Sequence, residues 1–85
     1  MRTFQYTIRE ELGMHARPAG SILQLASEFK SDITVTNKGR EGDLKHLLSL
    51  MDLDIRYQDT VTVTVDGPDE DMAAEEIQSF FEENL

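Results

Sequence analysis

A chain of 85 residues with 17 acidic and 8 basic side chains, a net charge of −9 and no cysteine has room for one domain around one core. The acidic balance excludes nucleic acid, whose phosphates need Lys and Arg, and disfavours anionic membranes; without Cys there is no disulfide framework or thiolate metal site, and two histidines alone do not make a zinc site. The start MRTFQYTIREE lacks the basic flank and apolar run of a secretory signal, and no stretch is apolar enough to span a bilayer, so a soluble cytoplasmic protein with no metal and no cofactor is expected over the single domain 1–85.

Phe4, Tyr6 and Ile8 alternate with polar residues, so residues 3–8 read as a half-buried strand, and Gly13 is the turn residue of the loop that follows. From residue 16 the period lengthens. Ala19, Ile22, Leu23 and Ala26, with Phe29 beyond, lie on one face of a helix over 16–29. Pro18 falls in its first turn, where a missing N–H does no harm, so the helix begins at or immediately after His15. Gly20 lowers helix propensity by roughly 1 kcal/mol relative to Ala; close approach of another group and simple tolerance of a small residue account for it equally well. Ile33 and Val35 mark a second strand, and Asn37-Lys38-Gly39 turns it into a short third strand at 40–43. Leu44, Leu47, Leu48 and Met51 return to helical spacing for about two turns. Val61, Val63 and Val65 alternate with Thr60, Thr62 and Thr64 in the clearest strand of the chain. Gly67-Pro68-Asp69-Glu70-Asp71 starts the last helix, with Pro in the first turn and acids at the positive end of the dipole; Ala73, Ile77, Phe80 and Phe81 mark its buried face. The order β-α-β-β-α-β-α with short, one-sided strands gives an α+β open-faced sandwich: a four-stranded, mostly antiparallel sheet covered on one face by three helices.

The chemistry concentrates in Gly13-Met14-His15-Ala16-Arg17-Pro18-Ala19. The first turn of a helix presents N–H groups with no partner in the helix, and the dipole adds roughly half a positive charge there. Pro18 donates nothing, so the backbone N–H groups of Ala16 and Arg17 are the free ones nearest His15, and the Arg17 guanidinium can grip phosphate oxygens in a fork. That is an anion site of the kind helix starts supply. Imidazole exchanges its proton near neutrality, which leaves a ring nitrogen available as nucleophile. A histidine at a helix start also serves as an ordinary cap or surface residue, and spacing alone does not separate the two readings.

The same seven residues resemble the phosphohistidine motif of the HPr family, the phosphocarriers of the bacterial phosphotransferase system. The resemblance runs through the whole chain, by way of Ala26, Phe29-Lys30-Ser31-Asp32-Ile33, Leu44-Lys45, Leu47, Leu48, Met51 and Asp66-Gly67. It implies a carrier rather than an enzyme. His15 would take a phosphoryl group on Nδ1 from enzyme I, itself charged by phosphoenolpyruvate, and pass it to a sugar-specific enzyme IIA, with Arg17 contacting the phosphate. It also implies a partner-docking face of Gly20, Leu47, Leu48 and Met51 beside the histidine. Helical spacing ordinarily marks core, so the expectation is that Leu44 and Met51 are buried while Leu47 and Leu48 reach the surface. A monomer is the simplest state for such a carrier.

Several positions depart from the family pattern. His46 stands where many members carry a regulatory Ser, and reads either as a surface residue or as a pH-dependent charge on the docking face. Gln24, Ser27 and Ser49 replace frequent Lys or Arg, which leaves Arg17 and Lys45 as the basic residues expected near the site. Asp54 replaces a frequent Gly, a modest cost because Asp tolerates left-handed backbone. The altered rim and missing Ser motivate an alternative function: an HPr-like regulatory domain that docks on a protein partner with phosphotransfer absent or secondary.

Overall fold

Val–Thr alternation builds the central strand of the sheet. The computed structural model describes residues Met1–Leu85. In β4 (Thr60–Asp66) Val61, Val63 and Val65 are fully buried, while Thr62 and Thr64 face the opposite side. β4 pairs with β1 (Arg2–Thr7) on one side and β2 (Asp32–Asn37) on the other, and β2 pairs with β3 (Arg40–Asp43). The order β1-β4-β2-β3 is antiparallel throughout. Lys38 and Gly39 at the β2–β3 turn both have positive φ, 54° and 80°, the two-residue turn whose hand matches strand twist.

The three helices cover one face, as the one-sided strands require. α1 (Ala16–Ala26) buries Pro18, Ala19, Ile22 and Ala26; α3 (Glu70–Asn84) buries Ala73, Ala74, Ile77 and Phe81. The Phe81 ring meets Phe4 edge-on at 5.9 Å between centroids and leans on Tyr6 at 5.5 Å. Each fully buried aliphatic or aromatic side chain in this layer contributes about 1.5–3 kcal/mol through removal from water.

The helix boundaries differ from the sequence expectation in three places. α1 stops at Ala26 instead of reaching Phe29. The Ser27 hydroxyl donates to the Leu23 carbonyl at 2.8 Å, and Glu28 and Phe29 close three-residue turns onto Leu25 and Ala26, which tightens and ends the helix. α2 (Leu47–Met51) starts at Leu47, and its core residue is Leu50. Leu44 is buried, as expected, but in the connection before the helix, where its N–H donates to Ile33 at 3.0 Å. A five-residue helix has little more than one turn, so with Leu50 pointing inward Met51 is turned out, 37% exposed, against the expectation that it would be core. α3 begins at Glu70, so Pro68 precedes it. The carbonyl of its cap residue, Asp69, accepts the Ala73 N–H at 2.9 Å, but the Asp69 side chain makes no bond to its own helix. The carboxylate instead accepts from the Ser31 hydroxyl (2.5 Å), the Ser31 N–H (3.0 Å) and the Lys30 N–H (2.9 Å), pinning the α1–β2 connection to the start of α3. Those donors, the Ser31 hydroxyl foremost, hold the Asp69 carboxyl below the usual carboxylate range.

Candidate functional site

The loop between β1 and α1 is shaped by its own backbone and by the segment after α2. The Glu10 carbonyl accepts from Gly13 at 2.9 Å and the Glu10 carboxylate from Leu12 at 3.2 Å, closing a turn. Gly13 has φ 65°, and a methyl group on it would lie 2.5 Å from the Ile55 carbonyl oxygen and 2.8 Å from the Arg56 Cα. Only glycine fits there without movement. Met14, buried, donates its N–H to the Ile55 carbonyl at 3.0 Å. His15 comes next, at the cap position of α1 with extended backbone (φ −104°, ψ −178°), and its carbonyl accepts the Ala19 N–H at 3.0 Å.

The His15 side chain is half-exposed and makes no capping bond to the helix. Ala16 and Arg17 occupy the first two helical positions, whose N–H groups have no acceptor four residues back. Arg17 is exposed and its guanidinium enters none of the ion pairs of the chain. His15 and Arg17 line one cleft of about 350 Å³ with Leu12, Pro18 and Ser21. The arrangement offers an unengaged imidazole, a free guanidinium and a helix start turned to solvent, which is the equipment for holding a dianionic group covalently attached to the ring.

The far wall of the cleft comes from Phe80 and Asn84 near the end of α3, with Glu10 at its edge. Arg9 fixes that end: its guanidinium donates to the Glu82 carbonyl at 2.8 Å and to the Tyr6 hydroxyl at 3.0 Å, and the Arg9 and Glu10 N–H groups both donate to the Leu85 carbonyl. Sequence reasoning placed Phe80 in the core and did not bring Asn84 or Glu10 to the site. The pair Phe80-Phe81 carried a signal, since adjacent helical residues lie about 100° apart and only one of two can face a sheet. Phe81 does, and Phe80 is left half-buried beside His15's cleft.

Leu47 and Leu48 are 47% and 79% exposed, and Met51 joins them at the surface. Gly20 faces open space: a methyl group there meets nothing within 4 Å, so no close approach inside the chain explains it. Next to His15, Leu12 and Met14 face Ile55 and Tyr57 across a groove that also holds Glu11, Asp54 and Arg56. Lys45 is not near the site. Its ammonium donates to the Phe29 carbonyl at 2.8 Å, beyond the C-terminal end of an eleven-residue helix that begins just after His15, a separation on the order of 16 Å along the axis. Asp54 adopts φ 50°, the left-handed geometry anticipated for it, and its carboxylate accepts from Arg56 Nε at 2.9 Å. His46 is an exposed cap residue whose Nε2 lies 3.6 Å from an Asp43 carboxylate oxygen. The Ser49 hydroxyl accepts the Asp43 N–H at 2.9 Å.

Comparison with known proteins gives a consistent result. Residues 2–83 match a family model described as the PTS HPr component phosphorylation site. The phosphocarrier protein HPr of Mycoplasma genitalium is 41% identical over 85 residues, spanning 99% of this chain and 97% of that one. A solved Mycoplasma structure, of the histidine-containing phosphocarrier protein, superposes with a TM-score of 0.91 at 33% identity, covering 93% of this chain and 90% of the other. The Crh protein of Bacillus subtilis, a catabolite repression protein solved as a domain-swapped dimer, superposes with a TM-score of 0.78 at 30% identity over 94% of this chain and 92% of the other. No helix of the chain is long and apolar enough to cross a membrane.

Proposed function

The chain belongs to the HPr family of phosphocarriers, and from that premise we propose that His15 carries a phosphoryl group from phosphorylated enzyme I to a sugar-specific enzyme IIA. The observation that carries this reading is the conjunction at the start of α1: an unengaged imidazole, the Ala16 and Arg17 N–H groups, and a guanidinium with no internal partner. In the first transfer the lone pair of Nδ1 attacks phosphorus. The N–P bond forms as the bond to the donor's leaving atom breaks, and that electron pair departs with the donor. The second transfer runs the same exchange toward the acceptor.

Charge and position supply the stabilisation. The three phosphoryl oxygens gain negative charge next to two N–H donors, the positive helix end and Arg17. The phosphohistidine so formed is an intermediate of the relay, and the protein works as a substrate of its partners, in the cytoplasm, as one domain over 1–85 and as a monomer. Leu47, Leu48 and Met51 form the docking face that sets His15 against the partner's reacting atom, and Gly20 leaves room for that partner along α1.

Amide NMR of the uniformly labelled protein before and after charging by phosphoenolpyruvate and enzyme I tests this seating. Hydrogen bonding to phosphate shifts an N–H downfield, so the Ala16 and Arg17 signals are expected to move furthest. Charging that leaves both in place while other amides move would refute it.

A further inference from the structure

Glu10 is the one acid that borders the His15 cleft, and seating a phosphoryl group there gives it no task. The charged or titratable side chains lining the cleft are Glu10, His15 and Arg17. Glu10 is tied down through three groups. Its N–H donates to the Leu85 carbonyl at 2.7 Å, its carbonyl accepts the Gly13 N–H at 2.9 Å, and its carboxylate accepts the Leu12 N–H at 3.2 Å. The last bond fixes the carboxylate against the loop that leads into His15. The residue is half-buried and enters no ion pair, with Arg17 or with any other cation. Arg9, its neighbour in sequence, lines the adjoining groove, where Glu82 and Glu83 outnumber its charge. A cleft of about 350 Å³ is on the order of 1 nm across, close to the Debye length of about 8 Å at physiological salt. A charge on one edge is therefore felt at the other.

We infer that Glu10 keeps the phosphoryl group on His15 from being held too firmly, so that the charged carrier stays a ready donor. The inference rests on the carrier reading and concerns the energy of the same covalent state. Charging brings on the order of two negative charges to the ring. Arg17 and the start of α1 attract them, and the Glu10 carboxylate repels them from the other edge of the cleft. Stabilising the charged form lowers its tendency to give the group away by the same free energy, so a site that only attracted would accept phosphate and keep it. Glu10 opposes that outcome. Its bond to the Leu12 N–H prevents the carboxylate from swinging away without losing a partner. The chemistry is unchanged: the Nδ1–P bond forms on charging and breaks on donation, and Glu10 alters only the energy difference between the two forms.

Two substitutions at Glu10 separate charge from structure. Glu10→Gln removes the charge but keeps the size and an oxygen for the Leu12 N–H. Glu10→Asp keeps the charge and shortens the reach to that N–H. Glu41→Gln, exposed on the open face of the sheet opposite Thr36, changes the net charge as Glu10→Gln does and serves as control. Each protein is mixed with phosphorylated enzyme I freed of phosphoenolpyruvate, and the equilibrium ratio of charged to uncharged carrier is read by intact mass at low and at physiological salt. Glu10→Gln is expected to shift the transfer equilibrium toward the charged carrier by about three- to tenfold at low salt, and by less as salt rises. Glu10→Asp and Glu41→Gln are expected to stay within about twofold of wild type. An equilibrium unmoved or lowered by Glu10→Gln, or moved by Glu10→Asp alone, overturns the role of the Glu10 charge while leaving the carrier intact. No adduct on wild type or on any variant, with the same enzyme I active on a control carrier, overturns the carrier reading and this inference with it.

Discussion

Gly13→Ala tests how the loop before α1 places His15. The new Cβ would stand 2.5 Å from the Ile55 carbonyl oxygen and 2.8 Å from the Arg56 Cα, both backbone atoms with no flexible side chain to give way. Left-handed backbone at φ 65° adds about 1–2 kcal/mol for a residue with a Cβ. Forcing the two segments apart adds about 1–3 kcal/mol, the usual scale of overpacking. The total, about 2–5 kcal/mol, is a large share of the roughly 5–15 kcal/mol by which a small domain is stable. Urea unfolding followed by circular dichroism reads it, and at about 4–8 °C per kcal/mol the melting temperature is expected to drop by at least ~8 °C. The same displacement separates Met14 from Ile55, so phosphoryl acceptance by the folded fraction is expected to fall as well. A loss under about 1 kcal/mol with unchanged acceptance would refute the placement of His15 through this contact.

Gly20→Ala is the opposite case: with open space around the new methyl group and ordinary helical backbone, stability is expected to rise by about 0.5–1 kcal/mol in the same unfolding assay, and a fall would refute the open geometry. Asp69→Asn probes the clamp on Ser31 through pH. Folding lowers the Asp69 carboxyl pKa, so its contribution is fully present above the unfolded value and is lost as pH falls through the lowered one, below about pH 4. The Asp59 carboxyl is lowered too, first by the Arg56 N–H and then by Asn37 and Lys38, and titrates in the same window. The acid limb of the Asp69→Asn variant, from urea midpoints between about pH 2 and 7 by the linkage relation, is therefore expected to be partly flattened; a limb superimposable on wild type would refute the clamp.

Strong periodicity made most of the fold legible. Val61, Val63 and Val65 on one side of a strand, and Ala19, Ile22 and Ala26 on one side of a helix, leave little freedom about which face is inside. The start of α1 was legible for a local reason, because Pro18 and the change of period bracket it. Short elements were harder. Leu44, Leu47, Leu48 and Met51 share a spacing, but in five residues of helix the one inward position went to Leu50, a choice set by where β3 and the connection through Leu44 deliver the chain. Tertiary hydrogen bonds were out of reach of local pattern. Nothing in Gly67-Pro68-Asp69 says that the carboxylate will cross to Ser31, thirty-eight residues away, rather than cap its own helix. The candidate site divides the same way. His15, Ala16 and Arg17 adjoin in sequence and could be read together, whereas Phe80, Asn84 and the Ile55 contact reach it only through folding.

Lys45 shows why counting charges near a motif is insufficient. It lies just before the exposed Leu47 and Leu48 in sequence, yet its ammonium donates to the Phe29 carbonyl beyond the opposite end of α1. Lone basic residues near a helix end commonly meet that demand, since terminal carbonyls lack intrahelical donors.

The central claim is that His15 carries the phosphoryl group. The direct measurement is the intact mass of wild type and of His15→Ala after incubation with phosphoenolpyruvate, Mg²⁺ and purified enzyme I. One phosphate adduct on wild type, lost in acid and absent from the variant, is the result expected. An adduct on His15→Ala, or none on wild type when the same enzyme I charges a control carrier, would contradict the account.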